Sequence, residues 1–328
     1  MRVLRWTDRD QIPAGFGPSV VTLGNFDGVH RGHQDVLRRM VGLARQIGGR
    51  AVAVTFSPHP ALVHRPEQAP ELLLGEVDRL ELLEATGIDA TLVLRYDLEL
   101  ASLAPRQFVL DHLVRPLNTT VVVVGRDVRF GVGNSGDLST MVELGHELGF
   151  EVDVVPDRAF PEGERRWSSS WVREMLAAGD VRGAAEVLGR PHRLRGTVVR
   201  GDRRGRELGF PTANLGAEAT GMVPADGVYA GWLRVLPARG APAESAPRLP
   251  AAVSVGTNPT FDGAERRVEA HVLGREDLEL YGREVLVELL ERLRPTERFD
   301  SVEALVAQMH EDVARAARLL GSGGTGRN

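Results

Sequence analysis

The 328-residue chain is 26% charged and 42% hydrophobic with a formal net charge of -5, which excludes a disordered chain and argues against a general nucleic-acid or anionic-membrane binder. It has no cysteine, and all 40 Lys+Arg positions are arginine. Disulfides, thiolate metal sites, cysteine nucleophiles, Schiff-base lysines and lysine-dependent phosphate loops are therefore excluded together. Any anion must be held by arginine, histidine, backbone N–H groups or a metal. The many Ala, Gly and Arg residues assign the lysine gap to coding bias, but its chemical consequence stands. At roughly 150 residues per domain, the length fits two domains. Residues Met1 to Asp8 lack the apolar core of a signal peptide. No apolar run approaches the ~20 residues of a membrane span, so a cytosolic protein is expected.

In chain order, strands are predicted at Ser19–Leu23, Ala51–Phe56, Ala90–Arg95, Thr119–Gly125 and Glu151–Val155. Most are nearly continuous apolar runs, the pattern of parallel strands covered on both faces. Between them lies a helical stripe of Val36, Leu37, Met40, Val41, Ala44 and Ile47 that stops at Gly48-Gly49. Further helices are predicted at Val77–Ala85, Pro105–Leu113 and Leu138–Leu148. Five strands alternating with helices predict a Rossmann-like, doubly wound α/β domain with ligands at the carboxyl ends of its strands.

Two short helices follow, Ser170–Ala178 and Val181–Leu188, and the pattern changes at Gly189-Arg190-Pro191. The segments Gly196–Arg200, Gly227–Val235, Ala251–Val255, Arg267–Leu273 and Glu284–Leu290 are short and β-rich, separated by Gly, Pro and Asp. They predict a small antiparallel β-barrel. Pro237–Pro250 reads as a mobile hairpin tip. A final amphipathic helix is expected over Ser301–Leu320 with Ser301 as N-cap, followed by a frayed tail, 321–328. The domains so drawn are 1–188 and 189–320. No internal repeat is present.

The first predicted strand runs directly into Gly24-Asn25-Phe26-Asp27-Gly28-Val29-His30-Arg31-Gly32-His33 and then into a helix. A glycine-rich turn between strand and helix exposes backbone N–H groups at a helix N-terminus, which attracts phosphate. His30 and His33 stand at that mouth. Imidazoles can donate to phosphate oxygens as charge builds in a transition state, and Gly32 leaves room for a nucleotide against the backbone. Alone, the pair is also compatible with a metal site at i, i+3 or with histidines at a helix end. The run resembles the His-x-Gly-His signature of nucleotidylyl transferases, in the form associated with the adenylyltransferase module of bacterial FAD synthetases. Ser57-Pro58-His59-Pro60, Gly125-Arg126-Asp127-Val128-Arg129-Phe130-Gly131 and Ser168-Ser169-Ser170-Trp171-Val172-Arg173 follow in the family order. Ser170 replaces the usual threonine and Val128 a common phenylalanine. Hydroxyls at a helix start with an arginine one turn in can clamp a polyphosphate; taken alone the serines are a plain N-cap.

A second run, Gly201 to Asn214, has Gly201, Gly205 and Gly209 four residues apart, which suits a loop folded around phosphate. Thr212 and Asn214 alternate on one side of an extended segment, so both can offer an oxygen to one Mg²⁺. Structurally the run is also a glycine-rich hairpin with a proline stop. Gly209-Phe210-Pro211-Thr212-Ala213-Asn214 resembles the riboflavin kinase signature. Asp226–Tyr229, Ser254–Phe261, Val268–His271 and Leu280–Gly282 follow in family order.

The resemblance implies a bifunctional enzyme, riboflavin kinase on the barrel and FMN adenylyltransferase on the α/β domain. Its implied catalytic residues are His30, His33, Arg173 and Glu269. Implied phosphate contacts are Gly24, Asn25, Phe26, Gly32, Asp127, Ser168, Ser169, Ser170, Gly201, Gly205, Gly209 and Pro211, with Mg²⁺ on Thr212 and Asn214. Glu269 matches the family's general base; it also lies with Arg267 and His271 on what reads as one wet strand face, where His271 is left. Riboflavin, ATP, FMN and FAD are the expected partners, with no nucleic acid and no membrane; homo-oligomerisation is left open, since the sequence does not encode it readably. The alternatives are one catalytic domain with the other a flavin- or nucleotide-binding regulatory module, a non-catalytic sensor, and nucleotidylyl transfer to a different phosphate.

Overall fold

The computed structural model describes residues 4–156, 165–201, 208–237, 245–260, 263–275 and 278–322. The chain forms two compact units, Met1–Pro70 with Glu76–Ser168, and Glu71–Gly75 with Ser169–Asn328.

The first unit is a six-stranded sheet: β1 Leu4–Trp6, β2 Ser19–Leu23, β3 Arg50–Ser57, β4 Ala90–Arg95, β5 Thr119–Gly125 and β6 Glu151–Val155. Their order is β1-β4-β3-β2-β5-β6, and every pair is parallel. Val20, Val21 and the run Ala51 to Val54 are fully buried, as apolar strands sandwiched between helices require. The helices are α1 Arg31–Gln46, α2 Pro60–His64, α3 Glu76–Glu84, α4 Leu98–Ala101, α5 Pro105–Val109, α6 Arg115–Leu117 and α7 Leu138–Leu148. From β2 the chain steps outward through β3 to β4, then returns to place β5 on the other side of β2. The strand order reverses between β2 and β5, and ligands bind at the carboxyl ends of strands flanking such a reversal.

Two expectations need correction here, and the end of α1 at Gly48-Gly49 stands as expected. The sheet has six strands rather than five: β1 is too short to show a period and is fixed by its parallel pairing from Leu4↔Ala90 to Trp6↔Leu92, with Trp6 buried edge-on to Phe16, ring centroids 4.9 Å apart. The helix expected over Pro105–Leu113 is interrupted by a π turn, Leu110–Val114, between α5 and α6. Pro116 removes the N–H that the His112 carbonyl would accept from. Helix α1 starts at Arg31 and stops where Gly49 brings its backbone against the Pro18 carbonyl; a Cβ there would lie 2.7 Å from that oxygen.

The second unit begins with α8 Ser169–Ala178 and α9 Val181–Leu188. A closed barrel follows, built from β7 His192–Val199, β8 Ala213–Leu215, β9 Gly227–Val235, β10 Leu249–Thr260, β11 Gly263–Val272 and β12 Glu284–Arg294, in the order β10-β11-β8-β7-β12-β9. All its pairs are antiparallel. Leu194, Tyr229, Leu233, Val253, Val285 and Val287 fill it. The barrel too has six strands, because the three-residue β8 closes it between β7 and β11. Helix α10, Val302–Ser322, packs Ala316 and Leu320 against Ala230, Ala252 and Leu293. The Ser301 hydroxyl accepts the Ala304 N–H at 3.1 Å as the expected N-cap. The helix includes Gly321 and Ser322, which were expected to fray; 323–328 lie outside the described residues, as do 238–244 of the expected hairpin tip, whose last two residues open β10.

Glu71–Gly75 is an integral part of this unit. Leu73 is fully buried, the Glu71 carboxylate accepts the Val223 N–H at 3.2 Å, and Gly75 lies so close to Thr220 that a Cβ would sit 2.5 Å from its hydroxyl oxygen.

Candidate active sites

In the first unit, β2 ends by donating Gly24 N–H to the Val54 carbonyl at 3.0 Å, and the chain then turns sharply. Phe26, buried, is left-handed at φ 49, Gly28 is at φ 81, and Val29 is at φ 40. For a β-branched residue this costs about 1–3 kcal/mol and persists only where the surroundings impose it. The turn delivers His30 to the N-cap of α1, where its Nδ1 accepts the His33 N–H at 3.4 Å. That bond places the ring proton of His30 on Nε2. The His30 and His33 rings stack with centroids 3.7 Å apart and planes 20° apart, and Phe26 meets His33 edge-on at 5.3 Å. Gly32 gives this stack room: a Cβ would come within 3.1 Å of His30 Cε1, and the ring would have to give by a few tenths of an ångström. The sequence reason for Gly32 was space for a nucleotide; the structure adds space for an imidazole.

Beneath the turn lies a residue the sequence did not single out. Arg79 of α3, only 7% exposed, donates from Nη1 to the Asn25 carbonyl at 2.9 Å and from Nη2 to the Phe56 carbonyl at 2.8 Å. Burial pushes its guanidinium below the ordinary arginine value, opposed by the Glu76 and Asp27 carboxylates. An arginine inside a short amphipathic helix carries no sequence signal for such a role.

Asp127 follows β5, the neighbour of β2 across the strand-order reversal. Its carboxylate pairs with Arg166 at 2.9 Å on the surface, where such pairs contribute at most about 1 kcal/mol. Val128, at the departure from the family pattern, is half-buried against the core of the sheet. Ser168 ends the first unit, and Ser169 and Ser170 open α8 in the second. Arg173, one turn into α8, donates from Nε to the Glu71 carbonyl at 2.7 Å within that same unit.

In the barrel, β8 and β11 pair Asn214 with Glu269. Thr212 Oγ1 donates to Glu269 Oε2 at 3.3 Å and accepts Asn214 Nδ2–H at 3.2 Å, so the three candidate groups form one cluster. Gly201 backs it: a Cβ would lie 2.7 Å from Asn214 Cγ and Oδ1. Gly209 holds φ +85 in open space, the conformation that glycine adopts without strain. Gly205 lies outside the described residues. His271 shares the half-exposed strand face with Arg267 and Glu269 as expected, and there it donates from Nδ1 to the Pro211 carbonyl at 2.9 Å and meets Phe210 edge-on at 5.4 Å. It thus anchors the Phe210-Pro211 turn that leads into Thr212. A second cluster holds the segment before β9. Arg266 donates to the Val223 carbonyl at 2.8 Å and to Asp226 Oδ1 at 2.9 Å, and Thr257 donates to Asp226 Oδ2 at 2.9 Å.

The donors around Thr212 are hard oxygens, a hydroxyl, a carboxamide and a carboxylate. No cluster of three His, Asp or Glu residues able to hold a metal occurs among the described residues. Such a set fits Mg²⁺, which takes few protein ligands and completes its shell with water and phosphate. No helix among the described residues is long and apolar enough to cross a membrane.

Residues 13–170 match the FAD synthetase family and residues 188–320 the riboflavin kinase family. A bifunctional riboflavin kinase/FMN adenylyltransferase of Escherichia coli strain K12 is 36% identical over 302 residues, covering 92% of this chain and 93% of its own. Its Bacillus subtilis strain 168 counterpart is 32% identical over 305 residues, covering 92% of each. A crystal structure from Streptococcus pneumoniae, described as a macrolide-efflux protein, superposes with a TM-score of 0.82 at 30% identity, over 96% of this chain and 99% of that one. The efflux description of that protein sits beside a fold shared across both units. The chain belongs to the bifunctional riboflavin kinase/FMN adenylyltransferase family, an FMN adenylyltransferase followed by a riboflavin kinase.

Proposed function

We propose that the two reactions are carried by the two clusters described above. In FMN adenylylation, an FMN phosphate oxygen attacks the α-phosphorus of ATP in line; the new P–O bond forms as the α–β bridging P–O bond breaks, and pyrophosphate leaves. No enzyme nucleophile takes part. His30, His33 and Arg173 stabilise the growing phosphate charge. Backbone groups of Gly24, Asn25, Phe26 and Gly32 receive the nucleotide, and Asp127 with Ser168, Ser169 and Ser170 completes its contacts. In riboflavin phosphorylation, Glu269 accepts the proton of the flavin's terminal ribityl hydroxyl as that oxygen attacks the γ-phosphorus of ATP; the new P–O bond forms as the β–γ bridging P–O bond breaks, and ADP leaves. Gly201, Gly205, Gly209 and Pro211 shape the phosphate loop. Thr212 and Asn214 would hold Mg²⁺, which when bound neutralises phosphate charge. The adenylyltransferase domain is 1–188 and the kinase domain 189–320. The enzyme works in the cytoplasm, taking riboflavin, FMN and ATP and yielding FMN and FAD.

The observation that carries this reading is the Thr212–Glu269–Asn214 cluster, which joins the metal-binding and proton-accepting candidates from distant sequence positions. The test supplies the full-length protein with MgATP and either riboflavin or FMN and follows products by chromatography. Glu269→Gln is expected to cut FMN formation by about 10²-fold or more while FAD formation from FMN persists. The double variant His30→Ala, His33→Ala is expected to abolish FAD formation and spare FMN formation. Loss of both activities in either variant, or of neither, contradicts the assignment.

A further inference from the structure

Arg79 joins the ends of two neighbouring strands. Its two terminal nitrogens hold the Asn25 carbonyl, just past β2, and the Phe56 carbonyl, near the end of β3. Thr55 Oγ1 also donates to the Asn25 carbonyl, at 3.4 Å. A planar guanidinium suits this work because its donors diverge in a fixed fork and its charge shortens each bond. Yet placing a charge there is costly. The side chain is buried, and desolvation outweighs the pull of the Glu76 and Asp27 carboxylates on its protonation. A fold needing only to fill that space would use an apolar residue.

The location explains the expense. In a trans peptide the C=O and the next N–H point to opposite sides. Fixing the Asn25 oxygen toward Arg79 therefore fixes the Phe26 N–H away from it. Phe26 is left-handed, as is Val29 three residues on, a conformation that must be imposed from outside. Phe26 in turn places its ring against His33.

We propose that Arg79 is a positioning residue for adenylyl transfer: by drawing the Asn25 and Phe56 carbonyls inward it holds the Gly24–His33 backbone, and the histidine stack resting on Phe26, in the form that receives the nucleotide phosphates. The proposal rests on the reading that this loop binds the nucleotide.

Full-length Arg79→Lys, Arg79→Gln and Arg79→Met test it, with FMN adenylylation, riboflavin phosphorylation and thermal unfolding measured on each. The Gln and Met variants are expected to lower kcat for adenylylation by about tenfold or more, with KM for ATP changed by less than about threefold, because misaligned donors are felt most where phosphate charge is greatest. Lysine keeps the charge and one directed bond at a time, and is expected to restore kcat to within about fivefold of the parent. Riboflavin phosphorylation stays within about twofold in all three, since the barrel contributes none of these contacts. A folded Gln or Met variant with unchanged adenylylation overturns the proposal. So does a parallel fall in both activities, or failure of both neutral variants to fold, which would leave Arg79 a scaffold residue only. His33→Ala, run alongside, separates this from the loop assignment: if it too leaves adenylylation intact, the loop reading itself falls.

Discussion

The sharpest single-atom perturbation available is Gly201→Ala. Its added carbon would lie 2.7 Å from Asn214 Cγ and Oδ1 and 2.8 Å from Nδ2. Ordinary van der Waals contact begins near 3.4 Å, so the carboxamide must retreat by about 0.7 Å. Its bond to Thr212 Oγ1 is already 3.2 Å long and would not survive that displacement. In stability the loss is small, about 1 kcal/mol for one partly exposed hydrogen bond, and alanine meets no backbone conflict because Gly201 is not left-handed. For catalysis the same shift is large: moving a metal- or phosphate-positioning group by nearly 1 Å costs on the order of 10²-fold in rate. Steady-state riboflavin phosphorylation measures the effect, with FMN adenylylation as the internal control and thermal unfolding as the check on folding. A Gly201→Ala enzyme that phosphorylates riboflavin within about threefold of the parent rate would refute the argument that Asn214 must stay in place.

Two further outcomes follow from buried and capping charges. Asp312 of α10 is buried and receives both Nε and Nη2 of Arg294 at 2.8–3.1 Å; Asp312→Ala leaves the guanidinium unpaired and should cost about 3–5 kcal/mol by chemical denaturation, with less than about 1 kcal/mol contradicting it. Asp137 caps α7, and hydrogen bonds from the Thr140 N–H, the Ser139 hydroxyl and the Thr140 hydroxyl lower its pKa to about 2. A depressed carboxylate stabilises the fold above its unfolded value near 4, and that contribution is lost as pH falls from about 4 towards 2. The stability difference between the parent and Asp137→Ala should thus shrink across this window; a difference independent of pH would show that the cap does not act through its charge.

Much of this protein is legible in its sequence for identifiable reasons. β2, β4 and β5 match their expected bounds because buried parallel strands are continuous apolar runs with glycine, proline or polar ends; β6, a half-exposed edge strand with Asp153 at its centre, matches through its valines. The His30–His33 motif is contiguous in sequence, so its place between strand and helix is legible, although the turn's left-handed form draws on Arg79 of α3. What escapes is tertiary in origin. β1 and β8 are three residues long, and only pairing across the sheet or barrel defines them. Arg79 has no motif, since its acceptors are main-chain carbonyls that any residue supplies. His271 alternates with Glu269 as a solvent-facing residue would, and only the return of the Phe210-Pro211 turn gives its Nδ1 an acceptor.

The five residues Glu71–Gly75 carry a consequence for taking this enzyme apart. The second unit is discontinuous in sequence, with a splint borrowed from a hundred residues upstream. A fragment cut anywhere between 168 and 192 would deprive Val223 of the Glu71 carboxylate and uncover the patch on which the buried Leu73 rests. It would also lack, if it retains α8, the carbonyl that steadies Arg173. Kinase activity measured on such a fragment would report a barrel with an uncovered apolar patch, so its deficit relative to the whole chain need not signify communication between the two reactions.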